Sequence, residues 1–229
     1  MPRLTAERGS EPWRRRLYLP AYQVSDAARY AGTTPQTVGY WQYRGGQLGP
    51  VLPGRTRRQP LSYLQLVEVA FVATFRALGV PLQRIRRAHI YASQVLRSEN
   101  PFAEYQWLTE GYHVMLDLRD VDKDQQIGKL IVADRSGQIA WQEMVSERFA
   151  QFDYHEGLAV VWWVRGRQMP VTIDPRVAFG APTVKGIPTW ALRGRWRAGE
   201  SITDIQDDFA LAEEDIEHAL QFENIQVAA

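Results

Sequence analysis

The chain contains no cysteine. That excludes disulfides, thiolate metal sites and cysteine nucleophiles, and it makes a reducing cytoplasm the expected setting. Lysine is missing from the first 100 residues. No uncharged apolar run approaches the ~20 residues of a membrane span; the run LAVVWWV at 158–164 is only strand length. The arginines near the start have no apolar segment behind them, so no signal peptide is expected. Catalytic signatures are also missing. There is no GxSxG, P-loop or dinucleotide fingerprint, and the histidines at 89, 113, 155 and 218 share no metal-binding spacing. His89 is expected on a helix flank. Asp120, Asp122 and Asp124 copy the start of a calcium loop, but Gln125 and Ile131 stand where that loop needs glycine and glutamate. No catalytic residue, metal, cofactor or membrane partner is expected.

What is present is a strong segregation of charge. Residues 1–100 carry 15 arginines against 5 acidic groups, a net of +10. Residues 101–229 carry 12 basic and 21 acidic groups, a net of −9, so the whole chain has a formal net charge of only +1. A basic half suits a polyanion and an acidic half repels one. Arginine in place of lysine also favours bidentate contact with phosphate and guanine edges.

Residues 1–20 read as a basic, extended arm in which Arg14, Arg15 and Arg16 either lie on phosphates or form a solvated tail. From Val24 the pattern turns helical, with Ser25 as N-cap, Ala27, Ala28 and Ala31 as a small apolar stripe, and Gly32 as the stop. Thr34 caps a second helix with Pro35 at its first position, where the missing N–H costs nothing. Val38 and Trp41 should face inward, leaving Gln36, Thr37, Tyr40 and Arg44 outward. Gly45-Gly46, Gly49-Pro50 and Pro53-Gly54 break the chain as a wing hairpin would, with Arg55, Arg57 and Arg58 on its return arm.

Ser62 then caps an apolar helix ended by Gly79, and Pro81 opens a further helix of about 17 residues. Beyond residue 98 the period shifts towards two in HVMLDL, GKLIVAD, GQIAW, LAVVWWV and MPVTI, with one helix at about 142–149. After Asp174-Pro175 three short helices are legible: one from Pro188 to about Ala198, one capped by Ser201, and one from Ala212-Glu213. The expected fold is α+β. It comprises the arm (1–20), a winged helix-turn-helix (21–98), a small mixed β-sheet region (99–173) and a C-terminal three-helix, helix-turn-helix-like bundle (174–229). The tryptophans at 107, 141, 162, 163, 190 and 196 suit core or interface packing better than base stacking.

Val24, Asp26, Ala28, Gly32, Thr34, Pro35, Thr37, Val38, Tyr40 and Trp41 resemble the first helix, turn and recognition helix of MerR-type DNA-binding domains. RALGVPLQRIRRA at 76–88 is similar to that family's junction after the wing. Two departures are plain: Gly39 stands where MerR proteins commonly have arginine, and the long dimerising helix with its cysteine-based effector site is missing. IDPRVAFGAPTVKGIPT with RAGESITDIQDDFALAEEDIEHAL resembles a small domain common in VapB-type antitoxins, and the order of head, β-rich middle and tail resembles one class of them over nearly the whole chain. The resemblance implies two partners, operator DNA for autorepression and a PIN-type ribonuclease toxin to be neutralised.

The candidate DNA-binding residues are Thr34, Gln36, Thr37, Tyr40, Arg44, Arg55, Arg57 and Arg58. Their donors suit base edges and phosphates. Arg193, Arg195 and Arg197 are the candidate toxin-binding residues in an otherwise acidic bundle. A homodimer or a higher toxin–antitoxin hetero-oligomer is expected, because one short helix reads few bases. The alternative reading is a stand-alone MerR-like regulator answering to a small ligand in the middle region.

Overall fold

A computed structural model describes residues 12–44, 49–52, 59–104 and 147–226. The runs HVMLDL, GKLIVAD and GQIAW, the Asp120–Asp124 cluster, Trp107 and Trp141 lie outside those residues. The contacts divide the chain into two compact units. One is formed by Tyr18–Ala150 with Tyr154–Ala159, the other by Met1–Leu17, Gln151–Asp153 and Val160–Ala229. Among the described residues no helix is long and apolar enough to cross a membrane.

The first unit is helical. Helix α2 (Val24–Tyr30) buries Ala27, Ala28 and Tyr30. Its N-cap is Gln23, without a side-chain cap bond, so Ser25 sits inside the helix and does not cap it. The helix ends as expected at Gly32 (φ +68°), where Gly32 N–H donates to Arg29 O and Thr33 N–H donates to Ala28 O. This six-to-one, five-to-two pair of bonds satisfies the last carbonyls and needs the left-handed residue that glycine supplies.

Helix α3 (Pro35–Tyr43) packs against α2. Helix α4 (Tyr63–Ala77) opens on a reciprocal capping box: Gln65 N–H donates to Ser62 Oγ at 3.2 Å, and Ser62 N–H donates to Gln65 Oε1 at 3.1 Å. Eleven of its 15 residues are buried, so α4 is the central element of this unit and not an amphipathic surface helix. Helix α5 (Leu82–Leu96) follows the stop at Gly79, and a 3-10 turn at Pro101–Ala103 packs on both α4 and α5. His89, expected on a helix flank, is buried on α5 instead. Of the helix expected at about 142–149, the described residues 147–150 are helical, and Phe149 packs on Phe71 at 4.7 Å between ring centroids.

The second unit combines a sheet and a bundle. The sheet has the order β1 (Phe152–His155), β2 (Leu158–Trp163), β3 (Val171–Ile173), β4 (Pro182–Val184), β5 (Ile187–Pro188). The pairings β2–β3, β3–β4 and β4–β5 are antiparallel. The line between the units runs through the β1–β2 hairpin. The three expected C-terminal helices form as α6 (Thr189–Arg197), α7 (Ile202–Phe209) and α8 (Glu213–Phe222), and α6 and α8 pack on the sheet.

The arm differs from expectation. Residues 12–18 are not extended but form helix α1 (Pro12–Tyr18), with Leu17 fully buried. Arg16 Nη1 donates to Arg176 O at 3.2 Å, so the basic cluster belongs with the C-terminal unit.

Within that unit Asp153 accepts from Arg167 Nη2 at 2.6 Å and from Trp163 Nε1 at 3.0 Å, while the guanidinium lies 4.8 Å from the Trp163 ring centre. Partial burial by itself raises the Asp153 carboxyl. The hydrogen bonds from Arg167 and Trp163, with the charges of Arg167 and Arg176, outweigh it and hold the group below its ordinary 3.8. A depressed folded-state value stabilises the fold above the unfolded value and ceases to do so as pH falls through the folded one. The denaturation midpoint of wild type should therefore exceed that of Asp153→Asn above pH 3.8, and the gap should close as pH is lowered below it. A gap that is constant with pH would show that the carboxylate's charge contributes nothing.

Candidate nucleic-acid interface

Helix α3 is fixed by its start and by its inner face. Pro35 occupies the first turn, and Thr34 Oγ1 accepts from Thr37 N–H at 3.2 Å while its hydroxyl pairs with that of Thr37 at 2.9 Å. Both threonine side chains are thus occupied in the cap. Val38, Trp41 and Gln42 are buried. The chain after the helix returns to it: Val51 and Leu52 N–H both donate to Trp41 O, at 2.9 and 3.2 Å, and both side chains are buried. An isolated antiparallel bridge between Tyr22 and Leu61 ties the entry of α2 to the segment before α4.

The opposite side of α3 is open. Gln36, Tyr40 and Arg44 are exposed, Tyr40 to 51%, and Thr37 is half-buried. The face also carries Tyr43, 39% exposed, which sequence reasoning left out although the spacing 36, 40, 43 places it on one helical stripe. At Gly39, between them, a β-carbon would meet nothing within 4 Å. The residue therefore keeps the centre of the face low without being required by packing. Arg55, Arg57 and Arg58 fall outside the described residues.

The candidate toxin-facing arginines on α6 are not equivalent. Arg193 Nη1 donates to Glu223 Oε2 at 2.8 Å, and the buried Glu223 also accepts from Thr189 Oγ1 at 2.6 Å. Arg195 is shared between Asp208 and Glu200. The hydrogen bonds it donates to Asp208, then to Glu200, push its already high pKa further up. Arg197 is exposed. Asp207, Asp208, Glu213, Glu214 and Glu217 give α7 and α8 an exposed acidic surface. Among the described residues no group of three acidic or histidine side chains is placed to hold a metal ion.

Comparison with known proteins follows the same two-part division. Residues 22–89 match the model described as MerR HTH family regulatory protein, and residues 171–222 match that of a protein of unknown function (DUF433). The chain is 22% identical over 235 residues to "Putative antitoxin VapB45" of Mycobacterium tuberculosis, covering 93% of this chain and 97% of that one. It superposes on the crystal structure of Rv2018 from Mycobacterium tuberculosis with a TM-score of 0.74 at 24% identity, covering 90% of this chain and 99% of that one. That structural likeness shows a shared fold. The resemblance drawn from the sequence, a MerR-like head joined to a VapB-like tail, agrees with these matches.

Proposed function

We propose that the chain is the antitoxin of a toxin–antitoxin pair. Its head binds operator DNA and represses its own operon, and its C-terminal unit holds a PIN-type ribonuclease inactive. The observation that carries the DNA half is the outward stripe of Gln36, Gly39, Tyr40 and Tyr43 on a helix whose inner side is locked by Val38 and Trp41, in a segment matching the MerR model. Donors on one face of a rigid helix are what base-edge readout requires, and flanking arginines supply phosphate contacts. In this reading Gln36 reads a base and Tyr40 with Arg44 binds backbone. Thr34 and Thr37 present the helix start to a phosphate, and Arg55, Arg57 and Arg58 neutralise charge along the wing. The antitoxin half is supported by likeness over 93% of the chain to a protein carrying that name. On α6, Arg197 is the contact we assign to the toxin, with Arg193 and Arg195 holding the fold around it. The active species is a homodimer or a larger complex with toxin, acting in the cytoplasm.

Anisotropy titrations against the chain's own promoter DNA and against random duplex test this. Gln36→Ala should cost about 1–3 kcal/mol on operator alone. Arg57→Ala should weaken both duplexes equally and reduce the slope of log K against log salt by about 0.9. Equal losses for Gln36→Ala on the two duplexes would remove it from base readout. A shift that needs a small ligand and no protein partner would favour the stand-alone regulator.

A further inference from the structure

The loop from Asp174 to Ala181 holds one side chain in a way the fold does not explain. Phe179 is 89% exposed, the most exposed of the large apolar side chains among the described residues. Its backbone is left-handed (φ +54°, ψ 27°) and is flanked by Ala178 at φ +45° and Gly180 at φ +80°. A β-carbon is unfavourable there for any residue but glycine, and an exposed ring gains nothing from burial.

The loop is nevertheless firmly braced. Asp174, nearly buried, accepts from Arg176 N–H at 2.8 Å and is gripped by its guanidinium through Nε and Nη2 at 2.9 and 2.7 Å. Val177 N–H donates to Asp174 O, and Gly180 N–H donates to Val177 O. A strained backbone carrying an exposed ring in a braced loop is the kind of outlier that motivates a functional reading.

The helix bordering the loop indicates the chemistry of the partner. Arg176 O accepts from Arg16, and the Arg176 guanidinium lies 6.0 Å from the Trp13 ring centre, so α1 borders this loop. Phe179 follows Arg176 by three residues, within about 11 Å along the chain. Arg15 and Arg16 are exposed on α1. An apolar knob beside guanidinium groups is complementary to a pocket with carboxylates at its rim. The remainder of this unit presents the acidic α7 and α8, which disfavour a nucleic acid as occupant.

We infer that Phe179, on a loop whose Arg176 carbonyl is held by Arg16 of the basic helix α1, is the anchor of a protein-docking surface that inserts into an apolar, acid-rimmed pocket of the partner. This rests on the proposed function, in which that partner is the toxin. It shifts the main contact from α6 to the Asp174–Ala181 loop and α1.

The test uses the full chain and the purified product of the open reading frame adjacent to its gene. Affinity and thermal midpoint are measured for wild type, Phe179→Gly, Phe179→Tyr and the double variant Arg15→Glu, Arg16→Glu. Phe179→Gly should lose about 30-fold or more in affinity while its thermal midpoint holds or rises, since the strained side chain is gone. Phe179→Tyr should stay within about threefold of wild type. The double variant should lose about tenfold at low salt and less at high salt. A wild-type complex that Phe179→Gly retains overturns the inference and leaves the proposed function standing; no wild-type complex overturns both. Loss of operator affinity with the partner complex intact would assign the surface to nucleic acid and overturn the inference as well.

Discussion

Glu68→Ala should destabilise the N-terminal unit by about 3–5 kcal/mol, the range for removing one partner of a buried pair and leaving the other polar groups unmatched. Glu68 is 2% exposed, with Oε2 2.8 Å from His89 Nε2 on α5 and Oε1 accepting Phe102 N–H at 2.7 Å. One carboxylate therefore joins α4, α5 and the turn at Pro101–Ala103. The His89 ring in turn sits edge-on to Phe102, with ring centroids 5.1 Å apart. Alanine leaves the buried imidazole without its carboxylate neighbour and a buried backbone N–H without an acceptor, and it opens a cavity among α4, α5 and the turn. Glu68→Gln keeps the acceptor for Phe102 and should cost about half as much. The loss should reach α3, because Gln42 on its inner side lines the same small cleft as Glu68 and His89. Urea denaturation followed by helical signal reads the stability, and a cost below about 1 kcal/mol for Glu68→Ala would show that the pair is not the joint described.

The parts of this fold legible in the sequence are those set by local chemistry. Thr34-Pro35, Ser62, Ser201, Gly32, Gly79 and Gly199 mark helix ends because a cap or a left-handed residue solves a problem within one turn of chain. Helix α1 was not legible, since a seven-residue helix needs tertiary contacts, among them Leu17 in the core and Arg16 on a carbonyl 160 residues away. The hairpin between β4 and β5 was concealed by Pro182 and Pro188, which argue against strands, although both sit at strand ends. Its two-residue turn, Lys185-Gly186, has positive φ at both positions (48° and 86°). The Glu156-Gly157 turn between β1 and β2 has the same signature.

The same distinction governs the sites. The outward and inward faces of α3 follow from helical spacing, which alone separates Gln36 and Tyr40 from Val38 and Trp41. That Glu68 meets His89, that Glu223 holds Arg193, and that Phe179 stands out of a braced loop are products of tertiary pairing, invisible to periodicity.

Trp162→Ala should be the most damaging change in the C-terminal unit, at about 3–5 kcal/mol. The side chain is fully buried on β2, stacked on Phe152 with ring centroids 5.6 Å apart, in a residue paired with the equally buried Ile173. Removing it takes away the filler on which the sheet's inner face closes and leaves the Phe152 ring facing a void. Its indole N–H has no hydrogen-bond partner among the described residues, so Trp162→Phe removes an unsatisfied donor along with part of the ring and should cost less than half as much. Hydrogen exchange separates the consequences by segment. Amides of Val171–Ile173 and Thr183 should lose roughly 10²- to 10³-fold of their protection, following the loss of local stability. If the proposed function holds, capture of the partner falls with them, because β3, β4 and the Phe179 loop between them are one continuous segment. Under the same reading operator affinity, which the proposal assigns to the N-terminal unit, should persist. Retained strand protection in Trp162→Ala would show that the sheet is held by its edges and the helices on it, with the tryptophan only filling space.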